Sequence, residues 1–249
     1  MEQYGLIGYP LKHSFSKGYF NDKFDAEKID AEYVNFEIPS IREFKTILKD
    51  HPNLKGLNVT IPYKEQVIPY LDQLSENAKL IGAVNVIKIE QTSKGKIKKL
   101  TGFNSDIIGF KKSIEPMLQP HHQKALVLGT GGAAKAIYYG LKQLGIVPVY
   151  VSREKQSNDM LTYDELTAHD LAIHTIIVNC TPVGMWPHVD ECPKIPYKYL
   201  TSDHLLYDLL YNPNETLFMK TGAEQGATVV NGLEMLLLQA FASWEFWQN

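Results

Sequence analysis

Apolar and polar positions along this chain switch repeatedly between two periods. Runs that are β-branched or that alternate apolar with polar predict strands at Tyr4–Ile7, at "EYVNFEI" over 32–38 and at "LKGLNVTI" over 54–61. "IREFKTILKD" at 41–50 has helical spacing with Ser40 as its N-cap. "KEQVIPYLDQL" at 64–74 reads as a further helix, interrupted by Pro69. "AVNVIKIE" and "KIKKLTGF" flank the polar "QTSKGK" and predict a hairpin. Then come the strand "ALVLG", a helix running to Gly145, and the strands "VPVYVS", "TIIVNC" and "HLLYDLL". "NETLFMKTGAEQG" at 214–226 reads as a helix stopped at Gly226, "ATVVNG" as a last strand and 233–247 as a last helix.

Strand–helix alternation of this kind predicts an α/β fold with mostly parallel sheets and helices on both faces. The strands are too many for one sheet. The expected break is "LTGFNSDIIGF" at 100–110, where the charged hairpin ends and a fresh βαβ unit begins.

Composition narrows the function classes. With 249 residues, 44% hydrophobic, the chain can bury one large core or two modest ones. A net charge of −3 provides no basic field for nucleic acid or an anionic membrane surface. The apolar runs are too short to span a bilayer, and "MEQYGLIGYPLKHS" lacks the basic and apolar regions of a secretion signal. The two cysteines, Cys180 and Cys192, make neither a disulfide framework nor a metal quartet, so no metal is expected. The expectation is a cytoplasmic protein without nucleic-acid or membrane partners.

The first chemical signal is a glycine turn. Gly129-Thr130-Gly131-Gly132-Ala133-Ala134 follows "KALVL" and opens the helix "AAKAIYYGLKQLG". Its G-x-G-x-x-A spacing fits the dinucleotide fingerprint: one glycine for the tight turn, one for close backbone approach to pyrophosphate, and a small residue for helix–strand packing. The helix N-terminus adds free N–H groups. The next strand ends at Ser152 and is followed by Arg153, with no carboxylate at the strand end. A guanidinium there pairs with a 2′-phosphate, which favours NADP, and the neighbouring Glu154 weakens that preference.

The second signal lies upstream. "GYPLKHSFSKG" spaces Ser14 and Ser16 two apart, so in an extended segment both hydroxyls face one way and could hold a carboxylate; an N-cap and turn is the other reading. In "NVTIPYK", Asn58 and Thr60 share a strand face, and Pro62 suits a first helical turn, which would put Lys64 at the positive end of a helix as a candidate acid or base. Asn85 sits among apolar neighbours in "IGAVNVI" and needs partners. Asp106 in "GFNSD" is either the N-cap of the following helix or a carboxylate that holds Lys64. "IIVNCTPVGMW" at 176–186 resembles a strand reaching the carboxyl edge of a sheet, where α/β proteins bind ligands. Gln239 shares a helix face with Met235.

Taken together, "HSFS", "NVTIPYK", "IGAVN", "GFNSD", "LGTGGAAKA", "NCTPVGM", "YDLLYNPNET" and "NGLEMLLLQA", in this order, resemble the shikimate dehydrogenase family nearly from end to end. The resemblance implies two α/β domains. Residues 1–104 with 233–249 would bind substrate, residues 105–232 would form a Rossmann-like NADP domain, and the active site would be the cleft between them. It implies that Ser14 and Ser16 hold the substrate carboxylate, and that Thr60, Asn85, Asp106 and Gln239 bond ring hydroxyls, with Asn58 and Tyr211 nearby. Lys64 and Asp106 would be the catalytic pair. Gly129 to Ala134, Ser152 and Arg153 would hold the adenosine phosphates. Thr181, Val183, Leu209, Gly232 and Met235 would line the nicotinamide end.

The chain departs from the family pattern at Lys17, Phe20, Val86, Ser105 and Glu154. The expected activity is reversible, NADPH-dependent reduction of 3-dehydroshikimate to shikimate, on the route to chorismate and aromatic amino acids, by a monomer or homodimer. The alternatives are a quinate/shikimate dehydrogenase that accepts NAD, a non-catalytic dinucleotide-binding redox sensor, and a methylenetetrahydrofolate dehydrogenase-like enzyme, against which the serine pair and "GFNSD" argue.

Overall fold

The computed structural model describes residues 1–11, 14–93 and 95–249, so His13 of "HSFS" and Lys94 of the hairpin turn lie outside it. The chain forms two compact units, Met1–Ser105 with Ala240–Asn249, and Asp106–Gln239.

In the first unit the elements run β1 (Glu2–Gly8), α1 (Phe15–Glu27), β2 (Ala31–Glu37), α2 (Phe44–Asp50), β3 (Leu54–Val59), β4 (Gln73–Leu74), α3 (Glu76–Ile81), β5 (Val86–Gln91) and β6 (Ile97–Phe103). The sheet order is β2-β1-β3-β5-β6-β4. β1 pairs in parallel with β2 and β3, whereas β5 is antiparallel to both β3 and β6. β4 is parallel to β6, so five of the six strands run the same way and the expectation of a mostly parallel sheet holds in this unit, with β5 alone reversed. The β5–β6 hairpin, itself expected from the sequence, reverses the strand direction.

Alternation along each strand divides the core into two layers. Ile7 of β1, Leu57 and Val59 of β3 and Ile87 and Ile89 of β5 pack on one face. Tyr4 and Leu6 of β1 and Val86 of β5 pack on the other, against Phe20 and Phe24 of α1 and Trp247 of the C-terminal helix. Trp247 donates its indole N–H to the Ile87 carbonyl at 3.1 Å and lies over Gly56 of β3, where a Cβ would come within 2.3 Å of the ring.

The helix expected over 64–74 does not form. Residues 61–67 make turns, and the first regular piece is a 3-10 turn at Ile68–Tyr70. Pro69 has no N–H to give to the Glu65 carbonyl, so an α-helix cannot run through it; that carbonyl accepts from Ile68 N–H instead, at 3.3 Å. The chain is then captured by β6, which pairs with β4.

The second unit runs α4 (Asp106–Ile114), β7 (Lys124–Leu128), α5 (Gly132–Gln143), β8 (Val147–Ser152), β9 (Leu161–Thr162), α6 (Ala168–Ile173), β10 (Ile176–Asn179), β11 (Leu205–Asp208), α7 (Leu217–Glu224), β12 (Thr228–Val230) and α8 (Leu233–Gln248), with α8 divided between the units after Gln239. The sheet is wholly parallel, in the order β12-β11-β10-β7-β8-β9. Counted from β7, this is the doubly wound Rossmann order, with its topological switch between β7 and β10. Strands buried on both faces read as continuous apolar runs. Thus Ala125 and Val127 of β7 enter one core layer, and Leu126 and Leu128 the other.

Substituting Gly56→Ala tests how the C-terminal helix seats on the first sheet. The new methyl group must displace the indole, so the expected loss is about 1–3 kcal/mol in urea denaturation. An unchanged midpoint would contradict the packing described.

Candidate functional site

The sequence-predicted polar residues of the first unit gather where the carboxyl ends of β1 and β3 meet the start of β5. Leu6 of β1 is opposite Asn58, and Asn58 is opposite Val86. The Thr60 N–H donates to the Ile7 carbonyl at 2.9 Å and the Val59 N–H to the Asn85 carbonyl at 2.9 Å. These ladders carry Asn58, Thr60 and Asn85 to one sheet edge. Asn85 is buried, and its amide closes a two-way bond with Ser105, accepting from the Ser105 N–H at 2.7 Å and donating to the Ser105 hydroxyl at 3.0 Å.

Ser14 and Ser16 reach the same edge by a different route from the one expected. They are not on an extended segment. Ser14 is the N-cap of α1, accepting from the Lys17 N–H at 3.3 Å, and Ser16 lies in the first helical turn. Helix propensity hid this element, because Gly18 and Asn21 interrupt a pattern whose stability comes from packing Phe20 and Phe24.

Lys64 is half-buried in the turn after β3, not at a helix N-terminus, for the reason given by Pro69. Its carbonyl accepts from the Val84 N–H at 2.8 Å, which ties this turn to the residues leading into Asn85.

Asp106, Tyr211 and Gln239 belong to the second unit. Asp106 is buried and is the first residue of α4 rather than the cap before it, so its carboxylate lies in the first turn, where the helix dipole favours negative charge. Three residues on, Gly109 faces α8 so closely that a Cβ would meet the Met235 carbonyl at 2.6 Å and the Gln239 nitrogen at 3.0 Å. This close crossing places Asp106 and Gln239 on adjoining helices. Met235 is buried in the core beside Phe110 and Tyr207. Tyr211 is 38% exposed, and burial of its ring side raises the phenol above its usual range.

At the switch point of the second sheet, the glycine turn has the form its spacing predicts. Gly129 adopts a left-handed φ of 106°, and its N–H donates to the Val151 carbonyl at 2.8 Å. Gly131 is the N-cap of α5 and has no side chain to occupy the helix end, and a Cβ there would meet nothing within 4 Å. Thr130, Gly132, Ala133 and Ala134 complete the turn and the first helical residues, with Ala134 fully buried against the sheet. An open approach to uncapped helix N–H groups fits a pyrophosphate.

Ser152 ends β8, its hydroxyl donating to the Glu154 carbonyl, and Arg153 is exposed beside it. Lys155 pairs with Glu165 at 2.7 Å, and that lysine holds the Glu165 carboxyl below its usual range, so the next cation along is already engaged. The exposed Arg153 fits the 2′-phosphate of NADP.

Sequence reasoning missed the group that organises the rest of this edge. Asn179, fully buried at the end of β10, accepts from the Thr181 N–H at 3.0 Å and from its hydroxyl at 2.7 Å, and donates to Asp208 at 3.0 Å. The Thr181 hydroxyl in turn accepts from the Val183 N–H at 3.3 Å. The Asp208 carboxylate also accepts from the Leu210 N–H at 3.1 Å and the Thr216 hydroxyl at 2.6 Å. Leu209 packs on Gly232, where a Cβ would come within 2.1 Å of the Leu209 carbonyl. One buried carboxylate thus braces the loops carrying Thr181, Val183 and Leu209. The available signal was a charge inside the apolar run "HLLYDLL".

Burial pushes Asp208 up from 3.8 to about 6, outweighing the bonds from Thr216, Leu210 and Asn179 that lower it. The folded state therefore binds the proton more tightly than the unfolded chain does. This contribution to stability is fully present below about pH 4 and is lost as pH rises through about 6. The expected result is that Asp208→Asn removes this slope from denaturation midpoints measured between those pH values; an unaltered slope would refute it.

Among the described residues, no group of three or more His, Cys, Asp or Glu side chains is placed to hold a metal ion, and no helix is long and apolar enough to cross a membrane. The family model for the shikimate dehydrogenase substrate-binding domain matches residues 6–87. A shikimate dehydrogenase (NADP(+)) of Carboxydothermus hydrogenoformans is 38% identical over 259 residues, covering 98% of this chain and 90% of the relative. One from Clostridium beijerinckii is 39% identical over 264 residues, covering 100% and 93%. The crystal structure of Thermus thermophilus shikimate 5-dehydrogenase in complex with NADP(H) and shikimate superposes with a TM-score of 0.85 at 27% identity, covering 99% of this chain and 93% of that one. A mixed substrate-type sheet, a doubly wound sheet with an open glycine turn, and full-length relatives above 30% identity make this chain a member of the shikimate dehydrogenase family.

Proposed function

We propose that the chain catalyses the reversible, NADPH-dependent reduction of 3-dehydroshikimate to shikimate, the step that leads toward chorismate. The observation that carries the reading is the pairing of two features in one family member: polar side chains on the first sheet's edge, and an open, uncapped glycine turn on the second.

In this reading the Met1–Ser105 unit holds the substrate. Ser14 and Ser16 take its carboxylate, and Thr60, Asn85, Asp106 and Gln239 take ring hydroxyls, with Asn58 and Tyr211 nearby. The Asp106–Gln239 unit holds NADP at Gly129–Ala134, Ser152 and Arg153, with Thr181, Val183, Leu209, Gly232 and Met235 toward the nicotinamide. Bound NADPH supplies the hydride to the ring carbonyl carbon. Lys64 gives a proton to the carbonyl oxygen as it becomes a hydroxyl, and takes that proton back in the reverse direction. Asp106 keeps the lysine charged and oriented. The enzyme works in the cytoplasm as a monomer or homodimer.

The decisive measurement follows nicotinamide absorbance with shikimate or quinate as substrate and NADP or NAD as acceptor. Turnover is expected with shikimate and NADP; its absence would overturn the reading. Lys64→Ala is expected to lower kcat by about 10²–10⁴-fold with a much smaller change in KM. A raised KM with kcat unchanged would make Lys64 a binding residue instead. Arg153→Ala is expected to raise KM for NADP at least about tenfold while leaving NAD nearly unaffected, the loss of one charge-assisted contact. Equal effects on both cofactors would remove the role given to Arg153.

A further inference from the structure

The last residue of β1 and the residue after β3 pack on each other at the first sheet's edge. Leu6 is opposite Asn58 and Ile7 opposite Val59, so Gly8 and Thr60 come next in register and lie side by side. Side chains two apart on a strand share a face, which puts the Thr60 side chain beside the bare Cα of Gly8. The Thr60 methyl group fills that space. A Cβ on Gly8 would come within 2.5 Å of Thr60 Cγ2, ahead of the end of the Leu11 side chain at 2.7 Å and the Ile61 carbonyl at 3.2 Å. Carbon atoms in contact need about 3.5–4.0 Å. Only glycine at residue 8 therefore lets Thr60 lay its methyl group toward β1.

The Thr60 backbone is pinned on both sides. Its N–H donates to the Ile7 carbonyl at 2.9 Å, and its carbonyl accepts from the Tyr63 N–H at 2.9 Å. The Tyr9 N–H donates to the Ile61 carbonyl at 3.1 Å and ties the two segments once more. What remains to Thr60 is χ1, and a β-branched residue has few χ1 states. Methyl and hydroxyl share one Cβ, about 120° apart, so the seat of the methyl decides where the hydroxyl points. Thr60 is half-buried, and among the described residues its hydroxyl has no hydrogen-bond partner. That hydroxyl is aimed but uncommitted.

We propose that Gly8 is a positioning residue: by seating the Thr60 methyl group it locks the Thr60 hydroxyl in the rotamer that takes a ring hydroxyl of the substrate. This rests on the role given to Thr60 above. A methyl added at residue 8 denies the Thr60 methyl its place, and the hydroxyl swings about 120° to another well. Serine at residue 60 keeps the hydroxyl and has no methyl to displace, so the two changes complement each other in size.

The test measures kcat/KM for shikimate at saturating NADP. With Thr60 in place, Gly8→Ala should lower it about fivefold or more, the worth of one hydrogen bond, mainly through KM for shikimate and with KM for NADP unchanged. In Thr60→Ser the same Gly8→Ala change should cost about twofold or less, as for sites that no longer touch. Equal losses in the two backgrounds would overturn the inference. So would a Gly8→Ala protein with a lowered melting temperature and unchanged kcat/KM, the mark of a packing role alone. In the unaltered protein, an NMR cross-relaxation signal should join the Thr60 methyl protons to the Gly8 α protons. Its absence would overturn the inference even if Gly8→Ala failed to fold. Absence of shikimate turnover by the unaltered protein, with that signal present, would instead overturn the proposed function.

Discussion

A polar side chain taken out of water must find partners inside the protein, and each unit meets that requirement with a buried asparagine at a strand end. In the first unit Asn85 closes a reciprocal bond with Ser105 and gives its carbonyl to both the Val59 N–H and the Asn58 amide. In the second, Asn179 receives both Thr181 donors and passes its own N–H to Asp208. Leaving either amide unpaired would cost about 1–3 kcal/mol, so the backbone around each has little freedom. Several of the proposed contacts that lie outside regular elements, among them Asn85, Thr181, Val183 and Leu209, are held by these two fixed points.

The two sheets use this anchoring differently. The doubly wound sheet leaves a crevice at its switch point, and the open space over Gly131 makes it accessible to a phosphate group. The mixed sheet has no such built-in anion site. In the proposed reading its substrate contacts come from a helix start, a turn and a strand start: Ser14 and Ser16 at α1, Lys64 after β3, and Asn85 before β5. Backbone N–H groups dominate the first kind of site and side chains the second. That division suits a cofactor recognised by its phosphates and a small polyhydroxylated acid recognised group by group.

The departures from the family pattern acquire local explanations. Ser105 within "GFNSD" is the partner of Asn85, and its hydroxyl also meets Ser243. Glu154 follows Arg153 in a segment where Lys155 is taken up by Glu165. In the proposed reading this leaves Arg153, rather than Lys155, as the cation of "SREK" available to a 2′-phosphate.

Much of the architecture was legible in the residues. Period-two and period-3.6 patterns marked the longer strands and the helices α5, α7 and α8, the hairpin was visible, and the glycine spacing located the switch-point turn before any fold was known. The resemblance of eight motifs supplied the family. Tertiary structure alone decided the helix at Phe15–Glu27, which exists because Phe20 and Phe24 are buried, and the turn around Lys64, where Pro69 denies a helix its N–H and β6 captures the next segment. It alone decided the pairings of Tyr33 with Asn58, of Ser243 with Asn58 and of Asn179 with Asp208, which join residues 25, 185 and 29 positions apart. Local periodicity reports which face of an element is apolar. The partner of a buried polar atom is set by which distant elements pack against it, and no short stretch of sequence contains that information.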